Sequence, residues 1–220
     1  MVYLSTMIAT HISEILKNHA YELLGRQEVK TLLDTQAISH PKAEEEIVRN
    51  LLTLGGVQKV LQNLLKEQVS VRDLLTVVET LADYAPITKN IDILTEYVRQ
   101  RLRRSITKQY VRPTGEIALM TLDTEIEELI QNSIQHTEHE SYLSLEPAVA
   151  QKVLAQLTTS AEKFTSMNYQ PVILCSPGVR PHLKRMTERF LPTLVVLSHN
   201  EIDKRAKLKS LGVISIAHAH

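Results

Sequence analysis

Residues 57–86, VQKVLQNLLKEQVSVRDLLTVVETLADYAP, constrain the fold more than any other part of this 220-residue chain. Val57, Val60, Leu61, Leu64 and Leu65 recur at helical spacing, and so do Val71, Leu74, Leu75, Val78, Leu81 and Ala82. Apolar residues at i, i+3, i+4 and i+7 make a stripe that must leave water, so each helix has one face to bury. The spacing predicts two amphipathic helices joined by a very short turn. Ser70 is expected to cap the second. Asp73 would fall in its first turn, where a negative charge suits the helix dipole, and Pro86 follows its end. Two such stripes cannot cover each other fully, so flanking segments should pack on the hairpin.

Before the hairpin, residues 6–22 read as a helix with Ile8, Ile12, Ile15 and Leu16 on one side. Gly25 breaks the pattern, and residues 27–35 form a second helix with Val29, Leu32 and Leu33 inward. His40 and Pro41 make a turn, because the residue before proline is pushed out of the helical region. Residues 42–46 are a charged helical turn, and Gly55 and Gly56 separate it from the hairpin. After Pro86, Asn90 caps a helix carrying Ile93, Leu94, Tyr97, Val98 and Leu102 on one face. Arg99, Arg101, Arg103, Arg104 and Lys108 follow at its far end. Cations there suit the helix dipole, and the stacking aromatics of a nucleic-acid reader are missing, so a solvated helix end is the plainer reading. An RNA- or lipid-binding patch is the alternative.

Residues 116–122 read as a strand, and Asp123 or Thr124 caps a helix carrying Ile126, Leu129, Ile130 and Ile134. Residues 136–141 are polar and expected as loop. From Ser144 helix and strand alternate. Pro147 opens a helix burying Ala150, Val153, Leu154, Leu157, Ala161 and Phe164. Residues 172–175 and 194–197 are short apolar strands of the kind covered on both faces. Between them Ser176 is expected to cap a helix, started by Pro177, that turns Leu183, Met186 and Phe190 inward. Residues 208–216 complete the pattern as an edge strand. The fold class is α+β with several subdomains: helix-rich over the first two thirds, then a small α/β subdomain with a parallel sheet.

Hydrophobic residues make up 43% of the chain and charged ones 23%, which excludes a disordered chain. Lys plus Arg and Asp plus Glu number 25 each, so there is no overall basic footprint for nucleic acid. No apolar run approaches the roughly 18 residues of a membrane span, and the start lacks the marks of a signal peptide. The single cysteine, Cys175, rules out an intrachain disulfide and fits a reducing compartment.

The segment from Cys175 to Arg180, CSPGVR, invites an enzyme reading: a thiol at a strand end, a loop into a helix and an arginine could hold phosphate. A phosphatase-type loop needs one more residue between cysteine and arginine than the four present, and Pro177 removes an amide donor. A buried core thiol is the plainer reading. His136 and His139, with Glu138 and Glu140, could seed a metal site, but no second ligand motif stands elsewhere. No metal and no cofactor is expected. Phosphate loops, paired-cysteine zinc spacings and Gly-x-Ser-x-Gly elbows are all absent from the sequence.

The hairpin stretch, with ATHISEILKNHAYELLGRQEVKTLLD before it and LTEYVRQRL, YLSLEP, PVILCSPGVRP and LPTLVVLSHNEI after it, resembles the cytoplasmic C-terminal domain of the FlhA/InvA/SctV export-gate family. The resemblance runs over nearly the whole chain in the same order. It implies a fragment of a longer membrane protein, at the cytoplasmic face of the bacterial inner membrane. It implies subdomains over residues 1–48, 49–68, 69–143 and 144–220, with an exposed apolar patch near the hairpin. It further implies a non-enzymatic docking platform for flagellar export chaperones with late substrates and for other export-apparatus proteins, in a ring of nine subunits. YELLGRQE and HNEI lean towards the flagellar branch, and the virulence injectisome is the alternative. Carried over by position, the docking residues are Tyr21, Leu24, Gly25, Arg26, Gln27 and Gly55. Some family members carry Phe where Leu24 stands and Thr near Gly55, which leaves this floor apolar but smaller. Plain core is the competing role for Leu24.

Overall fold

In the computed structural model, which describes residues 4–39, 51–137 and 141–216, the chain forms two units. One reaches Ile106 and the other begins at Thr107. The first is helical: α1 (Leu4–Asn18), α2 (Ala20–Leu23), α3 (Arg26–Ser39), α4 (Leu54–Lys66), α5 (Leu74–Tyr84) and α6 (Ile91–Arg101). The turn expected at His40 and Pro41 and the helical turn over 42–46 lie outside the described residues.

The unit is built on α4. Its stripe, Val57, Val60, Leu61 and Leu64, is buried, and α2, α3 and α6 all pack on the helix. Burying such a side chain fully stabilises by about 1.5–3 kcal/mol. The expected hairpin is wider than the pattern implied. Residues 67–73 join its helices, with Gln68 in the left-handed region at φ 57°. α4 and α5 each pack chiefly on α6 rather than on each other. The cap of α5 is Asp73, not Ser70: its carboxylate accepts Thr76 N–H at 3.2 Å and Thr76 Oγ1–H at 2.8 Å. Ser70 instead accepts Arg72 N–H at 3.4 Å, ahead of the helix. Gly55 and Gly56 do not separate α4 from what precedes it. They form its first turn, and Thr53 is the cap, accepting Gly56 N–H at 3.1 Å.

Asn90 caps α6 as expected, accepting Asp92 and Ile93 N–H at 3.0 and 3.2 Å. The buried face is Leu94, Thr95, Val98, Arg99 and Leu102, while Ile93 is exposed. Tyr97 stacks on Tyr84 at 3.9 Å between centroids. Arg99 therefore leaves the cationic run. Its side chain is inside, whereas Arg101, Arg103, Arg104 and Lys108 are exposed. On α1 the stripe of Ile8, Ile12, Ile15 and Leu16 lies open, as does Leu32 on α3. The exposed apolar stripe is thus on α1, whereas the patch was expected near the hairpin.

Helix α7 (Arg103–Tyr110) passes the division at Thr107. The second unit holds β1 (Glu116–Leu122), α8 (Thr124–Asn132), β2 (Ile134–His136), β3 (Ser141–Leu143), α9 (Pro147–Ser166), β4 (Val172–Cys175), α10 (Arg180–Thr187), β5 (Val195–Ser198) and β6 (Lys207–Ile214). Four strands form one parallel sheet in the order β5-β4-β1-β6. β1 is thus a central strand, and β6 is the edge strand its pattern predicted. Where β6 carries one residue too many opposite Met120, the ladder bulges, and Gly212 supplies a φ of +144° that an L side chain rarely adopts. The core gathers Ile126, Val153, Leu157, Phe164, Ile173 and Leu183 around the sheet.

β2 and β3 pair antiparallel, with His136 opposite Ser141, so both ends of the loop expected over 136–141 are strand, and residues 138–140 lie outside the described residues. Two expectations fail here. Ser176 and Pro177 do not start α10, which begins at Arg180 behind Val179, with Pro181 in its first turn. Phe190 falls beyond that shorter helix and is 67% exposed. The HNEI segment is structural. Glu201 is buried, and its carboxylate accepts Ser198 N–H at 2.7 Å, while Thr107 Oγ1 donates to its carbonyl at 3.2 Å.

Candidate functional site

The residues carried over by position are assembled by α4. Two glutamines one turn apart on this helix reach back to the α2–α3 connection. Gln58 Nε2 donates to Leu24 O at 2.9 Å. Gln62 Nε2 donates to Leu24 O at 3.0 Å and to Tyr21 O at 3.2 Å. These bonds satisfy the carbonyls at the end of a four-residue helix that could not hold itself. They lay residues 21–26 along α4. At one end Lys66 Nζ stands 5.3 Å from the centre of the Tyr21 ring, a cation–π arrangement. At the other the Arg26 guanidinium covers Gly55: a Cβ placed there would lie 3.6 Å from Arg26 Nη2. Gly55 and Lys66 are eleven residues apart on one helix, so the two cations mark the ends of a strip about 16 Å long.

Tyr21, Leu24, Gly25, Arg26 and Gly55 thus come together. Gln27 is exposed on the first turn of α3, where its carbonyl accepts Thr31 Oγ1–H at 2.9 Å. Leu24 is 8% exposed, so its side chain is core beneath the strip. The apolar group on the surface is its neighbour Leu23, 64% exposed. The positional match did not include Leu23, and a pattern of adjacent leucines cannot tell which one a tight turn rotates outward. Beside them His19 Nδ1 lies 2.9 Å from Glu22 Oε1, and hydrogen bonds from His19 and Tyr21 hold the Glu22 carboxyl below its ordinary range. The strip offers an apolar point between two cations.

The second candidate, Cys175 to Arg180, is filled by the protein itself. Cys175 is fully buried, with Sγ 3.7 Å from Leu197 O. The Ser176 N–H that would face an anion donates to Glu127 Oε1 at 3.0 Å. Gln131, one turn further along α8, presses on Gly178, where a Cβ would meet its Oε1 at 2.6 Å. A carboxylate from α8 already occupies the loop, and phosphate would meet its charge. Among the described residues no three His, Cys, Asp or Glu side chains are grouped to hold a metal, and His139 lies outside them. No described helix is long and apolar enough to cross a membrane.

Residues 1–207 match the FHIPEP family. The chain belongs to that family. Flagellar biosynthesis protein FlhA of Bacillus subtilis (strain 168) is 42% identical over 212 residues, which are 96% of this chain and 31% of that protein. This member of the FHIPEP family thus spans about a third of the length of the curated relatives it matches. Among solved structures, the nonameric EscV cytosolic domain from the type III secretion system superposes with a TM-score of 0.85 at 30% identity, covering 97% of this chain and 63% of that one. A chain of the Chlamydia pneumoniae CdsV and CdsO protein complex gives 0.87 at 31% identity, covering 95% and 61%.

Proposed function

We propose that this chain is part of the cytoplasmic docking platform of a flagellar type III export gate. It receives export chaperones with their late substrates on the strip of Tyr21, Leu23, Gly25, Arg26 and Gly55, and passes them towards the membrane channel. The observation that carries the reading is the 42% identity to a flagellar FlhA over 96% of this chain. Identity to the injectisome-type structures is 30–31%, which favours the flagellar branch. A nine-membered ring at the cytoplasmic face of the inner membrane, through the full-length protein, is supported by the nonameric EscV relative. Contact with a further export-apparatus protein is supported by the CdsV and CdsO complex. The reading is of a binding platform and not of an enzyme, in keeping with a Cys175 loop closed by Glu127.

The test is retention. Purified chaperone–late substrate complexes passed over the immobilised chain should be held, and the chaperones without substrate held less. Passage of every flagellar complex without delay overturns the docking role.

A further inference from the structure

The second unit carries a pocket that the docking role does not use. Tyr142 and Leu143 of β3, Leu145 just after it and Ala150 on α9 form one side. His182, Arg185 and Met186 form the other. These last three share one face of α10 at i, i+3 and i+4. The cavity measures about 300 Å³, at the small end of the roughly 300–1,000 Å³ of ligand pockets. It is too small for a large cofactor and suits one anchoring side chain. Such anchors in pockets carry much of the energy of protein recognition.

The lining is mostly apolar, which asks for an aliphatic or aromatic group inside. Among the described residues its charged group is Arg185, beside His182, and no carboxylate lines it. Arg185 is held at the mouth by the hairpin, its Nη1 donating to Ser141 O at 3.1 Å. That bond fixes a planar fork that suits a carboxylate. Tyr142 is half exposed at the opening, so a chain can approach from the surface. We propose that this pocket binds an acidic peptide segment, seating one leucine-sized side chain on its floor and an adjacent carboxylate against Arg185.

The test is an NMR titration of the ¹⁵N-labelled chain with three probes: acetyl-Ser-Leu-Asp-Ser-amide, its Leu-Asn counterpart and its Ala-Asp counterpart. The Leu-Asp peptide should shift the amides of residues 142–145 and 182–186. The Leu-Asn peptide should bind about three- to fivefold more weakly, the upper end of what a solvent-facing ion pair contributes, and the Ala-Asp peptide more weakly still. Arg185→Gln should make the Leu-Asp and Leu-Asn peptides equal. Ala150→Phe, which fills the floor from a half-buried position, should weaken all three. Equal binding of the Leu-Asp and Leu-Asn peptides to the unaltered chain would mean a pocket that reads no charge, and would overturn the proposal. So would shifts confined to other residues, or none at millimolar peptide.

Discussion

Arg99 Nη1 lies 3.2 Å from Glu67 Oε2, joining α6 to the residue that ends α4. The arginine is 1% exposed. α6 is the helix on which α4 and α5 both pack, so the pair sits at the junction of the helical unit. A charge taken this far from water is tolerable only while its partner stays in place. The pair fixes how the end of α4 meets α6, which apolar stripes alone leave free to slide.

Removing one partner should cost more than the pair contributes. Arg99→Ala is expected to lose about 3–5 kcal/mol, because it strands Glu67 and empties a large buried volume. Glu67→Gln, which leaves the buried Arg99 charge without this carboxylate, should cost a similar amount. Urea melts of both mutants and of the double mutant measure the coupling. Additive losses would mean that the two residues act independently.

The stripe of α4 is a second test. Leu64→Ala, fully buried, should cost about 2–5 kcal/mol. Leu75→Ala, half-buried on α5, should cost visibly less. Equal losses in denaturant melts would contradict the packing described.

The two adjacent glycines should behave oppositely. At Gly56 a Cβ would lie 2.8 Å from Leu52 Cγ, whereas at Gly55 it meets nothing closer than 3.6 Å. Gly56→Ala is expected to destabilise by about 1–3 kcal/mol through overpacking. Gly55→Ala should be neutral or stabilising by up to about 1 kcal/mol, since alanine suits a helix better. Thermal melts of the two single mutants decide it.

Cys175 should react slowly. Its thiol is in the core, so a thiol reagent should label it no faster than the unit opens, and quickly in denaturant. Fast labelling of the native protein near neutral pH would restore the enzyme reading.

What was legible in the sequence follows from how local each signal is. The α4 stripe, the Asn90 cap and the apolar runs of β4 and β5 are short-range patterns, and all three are present. The β2–β3 hairpin was not legible, because three-residue strands are too short to show alternation. Ser70 and Asp73 both suit the cap of α5, and only the backbone path chooses between them. A sequence of arginines does not show that α6 turns Arg99 inward, towards Glu67. The residues proposed for docking are legible by resemblance alone. Their assembly rests on Gln58 and Gln62, whose partners are carbonyls 34 to 41 residues away. No residue type signals a bond to a distant backbone. Leu24 and Leu23 exchange roles for the same reason: the turn, not the residue, decides which is core.

The most direct measurement is calorimetric binding of a chaperone–late substrate complex to the unaltered chain and to Leu23→Asp, with a thermal melt of each. Leu23 is exposed, so its carboxylate stays in water in the free protein but would be left unpaired beneath an apolar anchor of the partner. Leu24→Asp is the control, and should unfold the unit because Leu24 is core. The account predicts that Leu23→Asp weakens binding at least about tenfold, about 1.4 kcal/mol, with the melting temperature unchanged. A folded Leu23→Asp protein that binds as tightly as the unaltered chain would contradict it.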